Sequence, residues 1–212
     1  PGYWFAVIHY REPSYQHRVA QPLRDADPAT FEAVSNWIID TLGGQVVRVG
    51  HPKMTPFTKR RGLIDLASLG DINFKLQLFA ISRARFMLAG NSGPGICVSC
   101  FGTPTAMCHN PVSFSVWNKQ DAIMYNQIVA PDGQRISREV TGKRKMYSDF
   151  ALNQLRSLGY QVVHQSVQEL LRLAALMHDR TVDTPEWRKH WQTDDRAPRP
   201  NTLAAATDPI HR

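Results

Sequence analysis

Short apolar segments alternate with amphipathic helical segments along the first half of the sequence, and this alternation limits the fold more than any other feature. Runs of β-branched and aromatic residues predict strands, and apolar residues recurring every three or four positions predict helices. Such alternation is typical of a parallel sheet covered by helices. We therefore expect an α/β, Rossmann-like fold with a mainly parallel sheet. The predicted strands cover residues 3–9, 45–49, 62–66, 85–89, 103–108, 127–130 and 160–164.

Capping and stop signals set the ends of the predicted helices. Asp27, which is followed by a proline, predicts the start of one helix, and Asp71 predicts the start of another. The apolar face of the second helix is expected to contain Phe74, Leu78 and Ile81. The other predicted helices cover residues 96–101, 148–158 and 166–177.

Length and composition favour one folded domain. The chain has 212 residues, of which 42% are hydrophobic, and this is enough apolar material for a core. We expect a Rossmann-like domain over residues 1–180 and a partly disordered C-terminal extension over residues 181–212. The sequence starts without a signal-peptide pattern, and we expect no cleaved leader. Three cysteines argue against a disulfide framework and indicate a reducing, cytoplasmic location.

The charge balance favours anionic partners. Lysine and arginine number 25 and acidic residues 18, which gives a net charge of +7. Phosphorylated small molecules, nucleic acid and an acidic membrane surface are the classes that such a charge attracts. The only basic runs, residues 59–61 and 143–145, are typical of solvated loops rather than of a nucleic-acid footprint. A non-enzymatic basic module that binds nucleic acid or another anion stays an alternative.

A glycine-rich turn joins the strand over residues 85–89 to the helix that follows. Its sequence, residues 90–95, is Gly-Asn-Ser-Gly-Pro-Gly. Backbone N–H groups in such a turn, together with a helix N-terminus, can bind a diphosphate, and Ser92 adds a hydroxyl donor. The glycines could equally serve only to make a tight strand-to-helix turn. The motif matches neither the dinucleotide fingerprint nor the P-loop.

Polar residues end two other predicted strands. His9, Arg11 and Glu12 follow the first strand, and ligands of open α/β sheets bind outside the carboxyl ends of strands. Arg11 could offer a planar guanidinium to phosphate, or could simply pair with Glu12 on the surface while His9 is buried. Asp65 could accept hydrogen bonds from a nucleotide, or could cap the turn that follows it.

The pair Cys97 and Cys100 is the nearest approach to a metal or redox motif. Zinc needs further ligands at suitable spacing, and the only nearby candidates are Cys108 and His109. We therefore expect these cysteines to pack against the sheet, and we expect no metal site.

Taken in order, these motifs resemble a bacterial group of GT-B glycosyltransferases and, more distantly, the protein O-fucosyltransferases. In that group a strand ending His-x-Arg-Glu, a strand ending Arg-Met-Gly, an Ile-Asp-Tyr-Ala segment and a Ser-Gly-Pro loop followed by Phe-Gly-x-Pro recur in this order. The resemblance covers roughly residues 3–180 and departs at Leu66, where the family has tyrosine, and at His51, where it has an acidic residue. The matching segments are residues 9–12, 47–50, 64–68, 90–94, 101–104, 131–136 and 166–170.

The resemblance implies the C-terminal, donor-binding half of a GT-B enzyme. Arg11 would then hold the diphosphate of a nucleotide sugar, and Asp65 would help to bind the nucleotide. Arg11 would also act in catalysis, and Glu12 or His9 could serve as general base. The residues expected to complete the diphosphate site are Asn91, Ser92 and Gly93.

The same resemblance implies the substrates and partners. The nucleotide sugar is the donor, no metal or other cofactor is needed, and the acceptor is a glycan, a lipid-linked molecule or a protein. We expect no nucleic-acid partner, an N-terminal acceptor domain missing from this sequence, and a cytoplasmic protein with peripheral association with the inner membrane as an alternative. A nucleotide-sugar epimerase of the same architecture is the alternative enzyme.

Overall fold

The protein is represented by a computed structural model, which describes residues 4–12, 24–69, 74–110, 118–137, 140, 154, 156–182 and 210–211. Ten strands and four α-helices lie within these residues. The strands are β1 Phe5–His9, β2 Gln45–Arg48, β3 Leu63–Asp65, β4 Phe86–Gly90, β5 Thr105–Asn110, β6 Ala122–Tyr125, β7 Gln127–Val129, β8 Arg135–Ile136, β9 Gln161–Val163 and β10 Ile210–His211; the helices are α1 Pro28–Asp40, α2 Phe74–Arg83, α3 Gly93–Cys97 and α4 Val167–Thr181.

The main sheet has the strand order β10-β6-β5-β4-β1-β2-β3. Strands β1 to β6 are all parallel to their neighbours, and β10 joins β6 in the antiparallel sense. Without β10 the order is that of a doubly wound, Rossmann-like sheet. The predicted α/β fold with a mainly parallel sheet is therefore confirmed.

Helices cover both faces of this sheet. One face packs on α1 and α4 and includes Ile8, Phe31 and Leu88. The opposite face packs on α2 and on the segment after α3, and it includes Val7, Ile81 and Val98. Alternate residues of each buried strand point to opposite faces, which is why the strands are apolar along their whole length.

Local signals determine where α1 and α4 begin. Asp27 accepts a hydrogen bond from the N–H of Ala29 at 3.0 Å, and a proline occupies the first turn, as predicted. Ser166 and Glu169 form a capping box at the start of α4, in which each side chain accepts from the other residue's backbone N–H.

Helix α2 turns a different face to the core than predicted. Gln77, Ala80 and Ile81 are buried, whereas Phe74 is 57% exposed. The side chain of Gln77 exchanges two hydrogen bonds with the backbone of Gly50, at 3.0 and 2.9 Å, and so fixes the inward face. The predicted face is confirmed at Ile81, Leu78 is half-buried, and the prediction is wrong at Phe74 because it weighed apolarity alone. The predicted cap Asp71 lies outside the described residues.

The C-terminal part of the chain differs from the predicted arrangement in its pairing. Strand β9 lies where a strand was predicted, but it pairs antiparallel with β7 in a separate sheet of order β8-β7-β9. Strand β6 was not predicted. The predicted helix over residues 148–158 ends at Gly159 (φ 85°), while its start lies outside the described residues. None of the described helices is both long enough and apolar enough to cross a bilayer.

Candidate functional site

The topological switch point of the sheet lies at its carboxyl edge, between β1 and β4, and we call this position the crevice. The helix after β1 packs on one face of the sheet, and the helical segment after β4 packs on the other. The chain therefore leaves the two neighbouring strands in opposite directions, and this is where ligands of doubly wound sheets bind. The backbones are close here, because a Cβ atom built on Gly90 would lie 3.6 Å from Cα of Tyr10 and 3.9 Å from the backbone nitrogen of Arg11.

Arg11 lies at this crevice and is held by an ion pair. Its Nε donates to Oδ1 of Asp25 at 2.9 Å, and the two residues also form an isolated parallel bridge. The N–H of Ala26 donates to the carbonyl of Arg11 at 2.8 Å, so backbone and side chain fix the same segment. The alternative interpretation paired Arg11 with Glu12, but the Glu12 carboxylate instead accepts hydrogen bonds from Thr55.

The glycine-rich turn follows β4 on the other side of the crevice. A Cβ atom on Gly95 would lie 3.0 Å from the carbonyl oxygen of Gly90 and 3.1 Å from Cβ of Ala89, so any side chain here would force the helix and the strand apart by a few tenths of an ångström. A Cβ atom on Gly93 would meet nothing within 4 Å. The hydroxyl of Ser92 donates to the Gly90 carbonyl at 3.3 Å, and Asn91 lies beside it in the turn. Close packing thus belongs to Gly95, and open space belongs to Gly93.

His9 is buried and neutral. Its Nδ1 lies 3.0 Å from the carbonyl oxygen of Val49, and this contact requires Nδ1 to carry the proton. Burial lowers the pKa of His9 to about 4, the contact with Val49 opposes this, and the charge of Arg48 adds to the lowering. The structure gives His9 a packing role between β1 and β2. Its role as general base stays a prediction.

Glu12 anchors the loop that follows β2. Its carboxylate accepts from the N–H of Thr55 at 3.1 and 3.0 Å and from the Thr55 hydroxyl at 2.8 Å. Glu12 is also buried. These contacts hold the loop against the end of β1, and the catalytic role expected for Glu12 stays a prediction.

Asp65 is paired with Arg48, which is buried in the interior. The two residues stand opposite each other on β2 and β3, and Nε and Nη2 of Arg48 donate to the two carboxylate oxygens at 2.8 and 2.9 Å. The hydroxyl of Ser68 donates to the same carboxylate at 2.6 Å. Asp65 is thus placed as the partner of a buried arginine, and its predicted contact with a nucleotide stays a prediction.

The Arg48 guanidinium is the centre of this network and was not among the predicted site residues. Its Nη1 donates to the Tyr10 hydroxyl at 2.8 Å and to the Thr55 carbonyl at 2.7 Å. The Cζ atom of Arg48 lies 4.4 Å from the centre of the Phe57 ring. Burial disfavours the charge of Arg48, but the interactions with Asp65 and Tyr10 together outweigh this and raise its pKa. Burial is also the main cause that raises the pKa of Tyr10. An arginine within a four-residue strand and an aspartate at the end of the next one were the signal available in the sequence.

The cysteines form no cluster in the described part of the chain. Cys97, Cys100 and Cys108 are free thiols, and Cys108 is buried with its Sγ 3.4 Å from the Ala89 carbonyl oxygen. Burial raises the pKa of that thiol. Among the described residues, histidine, cysteine and acidic side chains nowhere gather in a group of three or more.

The structure therefore brings four of the motif-bearing strand ends together. The segments after β1, β2, β3 and β4 lie at adjacent carboxyl ends of the sheet, with Arg11 and the turn at residues 90–95 on the two sides of the crevice. No protein-family model, curated protein or solved structure matches the chain. The function is therefore inferred from this geometry and from the motifs.

Proposed function

We propose that the crevice between β1 and β4 binds the diphosphate of a nucleotide sugar, and that the chain is the donor-binding half of a metal-independent GT-B glycosyltransferase. One observation carries the proposal. The motifs that resemble the glycosyltransferase group are far apart in sequence, yet four of them end neighbouring strands and meet at the one edge where doubly wound sheets bind ligands.

Arg11 is the residue to which the proposal assigns the leaving diphosphate. A guanidinium has five N–H donors in a rigid fork, and Asp25 accepts from Nε. We assign the terminal nitrogens to the diphosphate oxygens. Holding the side chain in advance reduces the reorganisation needed when negative charge develops on the leaving group.

The turn at residues 90–95 supplies the second half of the diphosphate site. Gly93 has open space where a side chain would otherwise stand, and neighbouring backbone N–H groups can therefore approach an anion. Ser92 and Asn91 add polar side chains at the same place. These donors are neutral, so they complement Arg11 without needing a metal ion.

Binding of nucleotide sugars to the intact protein tests this proposal. UDP-, GDP-, ADP- and CMP-sugars are compared by calorimetry on the unaltered protein, on Arg11→Gln and on the control Arg60→Gln, whose arginine pairs with Asp40 on α1. We expect one class to bind, Arg11→Gln to weaken it about 30-fold through the loss of charged hydrogen bonds, and Arg60→Gln to leave it unchanged. Equal affinities in all three proteins would contradict the assignment of Arg11.

Product analysis distinguishes glycosyl transfer from the alternatives. A transferase releases the nucleoside diphosphate as the sugar appears on an acceptor. Isomerised donor formed without any acceptor would instead identify an epimerase. The protein would instead be the basic binding module if it bound no nucleotide sugar and bound nucleic acid with an affinity that falls steeply as salt rises.

A further inference from the structure

The end of β5 contains buried polar side chains that have no hydrogen-bond partner. His109 is 2% exposed and Asn110 is fully buried. Among the described residues, neither ring nitrogen of His109 has a regular hydrogen-bond partner, and neither the nitrogen nor the oxygen of the Asn110 amide has one. Nearly all buried polar atoms in native proteins are paired, so four such atoms on two adjacent residues indicate a missing polar partner.

The backbone at His109 is in a conformation that non-glycine residues rarely adopt. Its φ is 52°, and the register between β5 and β6 shifts between Met107 and Asn110. Along β5, Met107 packs on the face of α2 and Cys108 on the face of α1, so regular alternation would turn His109 back towards α2. Instead its ring packs against Phe31 of α1, with the ring centres 5.5 Å apart. The irregularity therefore redirects the imidazole to the α1 face.

The redirected ring lies beside the residue that holds Arg11. The backbone of Asp25 makes a hydrogen-bond-like contact with the His109 imidazole that favours its protonation, but the geometry of this contact falls outside that of a regular hydrogen bond. The carboxylate of the same Asp25 accepts from Arg11. Strand β5 also neighbours β4, with Cys108 opposite Gly90. His109 thus lies beside the pair of Asp25 and Arg11, and Asn110 follows it at the end of β5.

The surroundings keep these side chains in place and uncharged. The N–H of His109 donates to Oε1 of Gln165 at 2.8 Å, and the Asn110 carbonyl accepts from the N–H of Asn126 at 2.8 Å. Burial lowers the pKa of His109 to about 3, and the stacked His164 ring, 4.8 Å away, adds to the lowering. A neutral imidazole and an amide each offer a donor and an acceptor, and this pairing suits hydroxyl groups, which also donate and accept.

We propose that His109 and Asn110 form a subsite for vicinal hydroxyl groups of a sugar ring in a ligand whose phosphates lie at Arg11. The inference rests on the proposed function, because the phosphate site determines where the ring lies. Two rings of a nucleotide sugar offer this chemistry, the ribose and the transferred sugar.

Two variants separate the subsite from the phosphate site. His109→Gly removes the ring while keeping a residue that tolerates φ of 52°, and Asn110→Ala removes the amide. Calorimetry on the intact protein uses inorganic pyrophosphate, UDP, 2′-deoxy-UDP and UDP-glucose, with the guanosine series in parallel. We expect each variant to weaken binding of the sugar-bearing ligands about fivefold to tenfold and to leave pyrophosphate affinity within about twofold.

The ligands identify the ring concerned. If the ribose occupies the subsite, UDP loses affinity in the variants and 2′-deoxy-UDP is already weak in the unaltered protein. If the transferred sugar occupies it, only UDP-glucose is affected. A uniform loss that includes pyrophosphate, or no loss with any ligand, would overturn the subsite. Failure of pyrophosphate and of every nucleotide to bind the unaltered protein would instead overturn the proposed function.

A measurement on the unaltered protein covers the case in which a variant fails to fold. The ¹⁵N resonances of the His109 ring, assigned by their loss in His109→Gly or by sequential connectivity, report hydrogen bonding to each nitrogen. We expect one ring nitrogen to shift on saturation with a sugar-bearing ligand and to stay unchanged with pyrophosphate. Unchanged ring resonances with both ligands would mean that these atoms are paired only with water and would overturn the subsite.

Discussion

Arg48 shows how one residue can link several strand ends. Its guanidinium joins Asp65 at the end of β3 to Tyr10 after β1 and to the Thr55 carbonyl in the loop after β2. A buried charge is tolerated only when its hydrogen bonds are satisfied, and here an ionised partner and two neutral oxygens satisfy them. The network therefore fixes the carboxyl ends of β1, β2 and β3 relative to one another.

Replacing Arg48 should destabilise the fold strongly. Arg48→Met keeps much of the apolar stem but leaves the partly buried carboxylate of Asp65 without its counter-charge, and we expect a loss of about 3 kcal/mol in the free energy of unfolding. Urea denaturation followed by circular dichroism measures it. Arg60→Ala, which breaks the more exposed pair with Asp40, is the control and should cost about 1 kcal/mol or less. Similar losses in the two variants would show that the Arg48 network does not stabilise the fold.

Two buried histidines make stability depend on pH below neutrality. The pKa values of His9 and His109 are lowered to about 4 and about 3, mainly by burial, so the unfolded chain binds their protons first as the pH falls. Their contribution to stability is complete above about pH 6.5 and declines as the pH falls towards the folded-state values. Between pH 6.5 and 5 we expect the free energy of unfolding to fall by roughly 1 kcal/mol per pH unit for each histidine.

The variant His9→Gln isolates one of these contributions. The Gln amide can still donate to the Val49 carbonyl but does not titrate, so the pH slope should be about half that of the unaltered protein. Urea denaturation at several pH values within this window gives both slopes. An unaltered slope in the variant would exclude His9 as a source of the pH dependence.

At the scale of elements, the turn after β4 contains two glycines with different surroundings, close packing at Gly95 and open space at Gly93. Gly95→Ala would place a methyl group 3.0 Å from the Gly90 carbonyl oxygen and 3.3 Å from Cε of Met107, and we expect a loss of about 1–3 kcal/mol from overpacking. Gly93→Ala meets nothing within 4 Å and should leave stability nearly unchanged while weakening diphosphate binding. Chemical denaturation and calorimetry on both variants separate the effects. Destabilisation of equal size in both would contradict this division.

Elements with strong local signals were predicted well from the sequence. Helix α1 begins at the predicted Asp27 cap and α4 at the predicted Ser166 cap, because a capping side chain satisfies backbone N–H groups within its own first turn. The inward face of α2 was predicted only in part, at Ile81, because its position also depends on Gln77 bonding to Gly50, a contact between distant parts of the chain. The pairing of β9 with β7 was not predicted either, because it also joins segments that are distant in the sequence.

The candidate site was predictable to a similar extent. Sequence reasoning placed Arg11, Asp65 and the turn at residues 90–95 at strand ends, since strand ends are marked by local changes from apolar to polar residues. It could not supply their partners, because Asp25 reaches Arg11, and Arg48 reaches Asp65, only in the folded chain. His109 was considered only beside the cysteines, and its redirected ring depends on the irregular pairing of β5 with β6.

At the scale of the whole molecule, the sheet order creates the candidate site. Six parallel strands wind outwards in both directions from the pair β1 and β4, so the segments that follow these two strands diverge and leave a crevice. The net charge of +7 favours anions over the molecule as a whole, and the proposed function assigns one anion to the crevice. The central claim is that a diphosphate binds at this position.

Backbone NMR during titration with inorganic pyrophosphate tests that claim most directly. In a ¹⁵N-labelled protein, saturable shifts should concentrate on the amides of residues 91–95 and on the backbone and side chain of Arg11, and they should be lost in Arg11→Gln. Shifts that do not saturate, or that cluster on the basic run at residues 59–61 and persist in Arg11→Gln, would contradict the account.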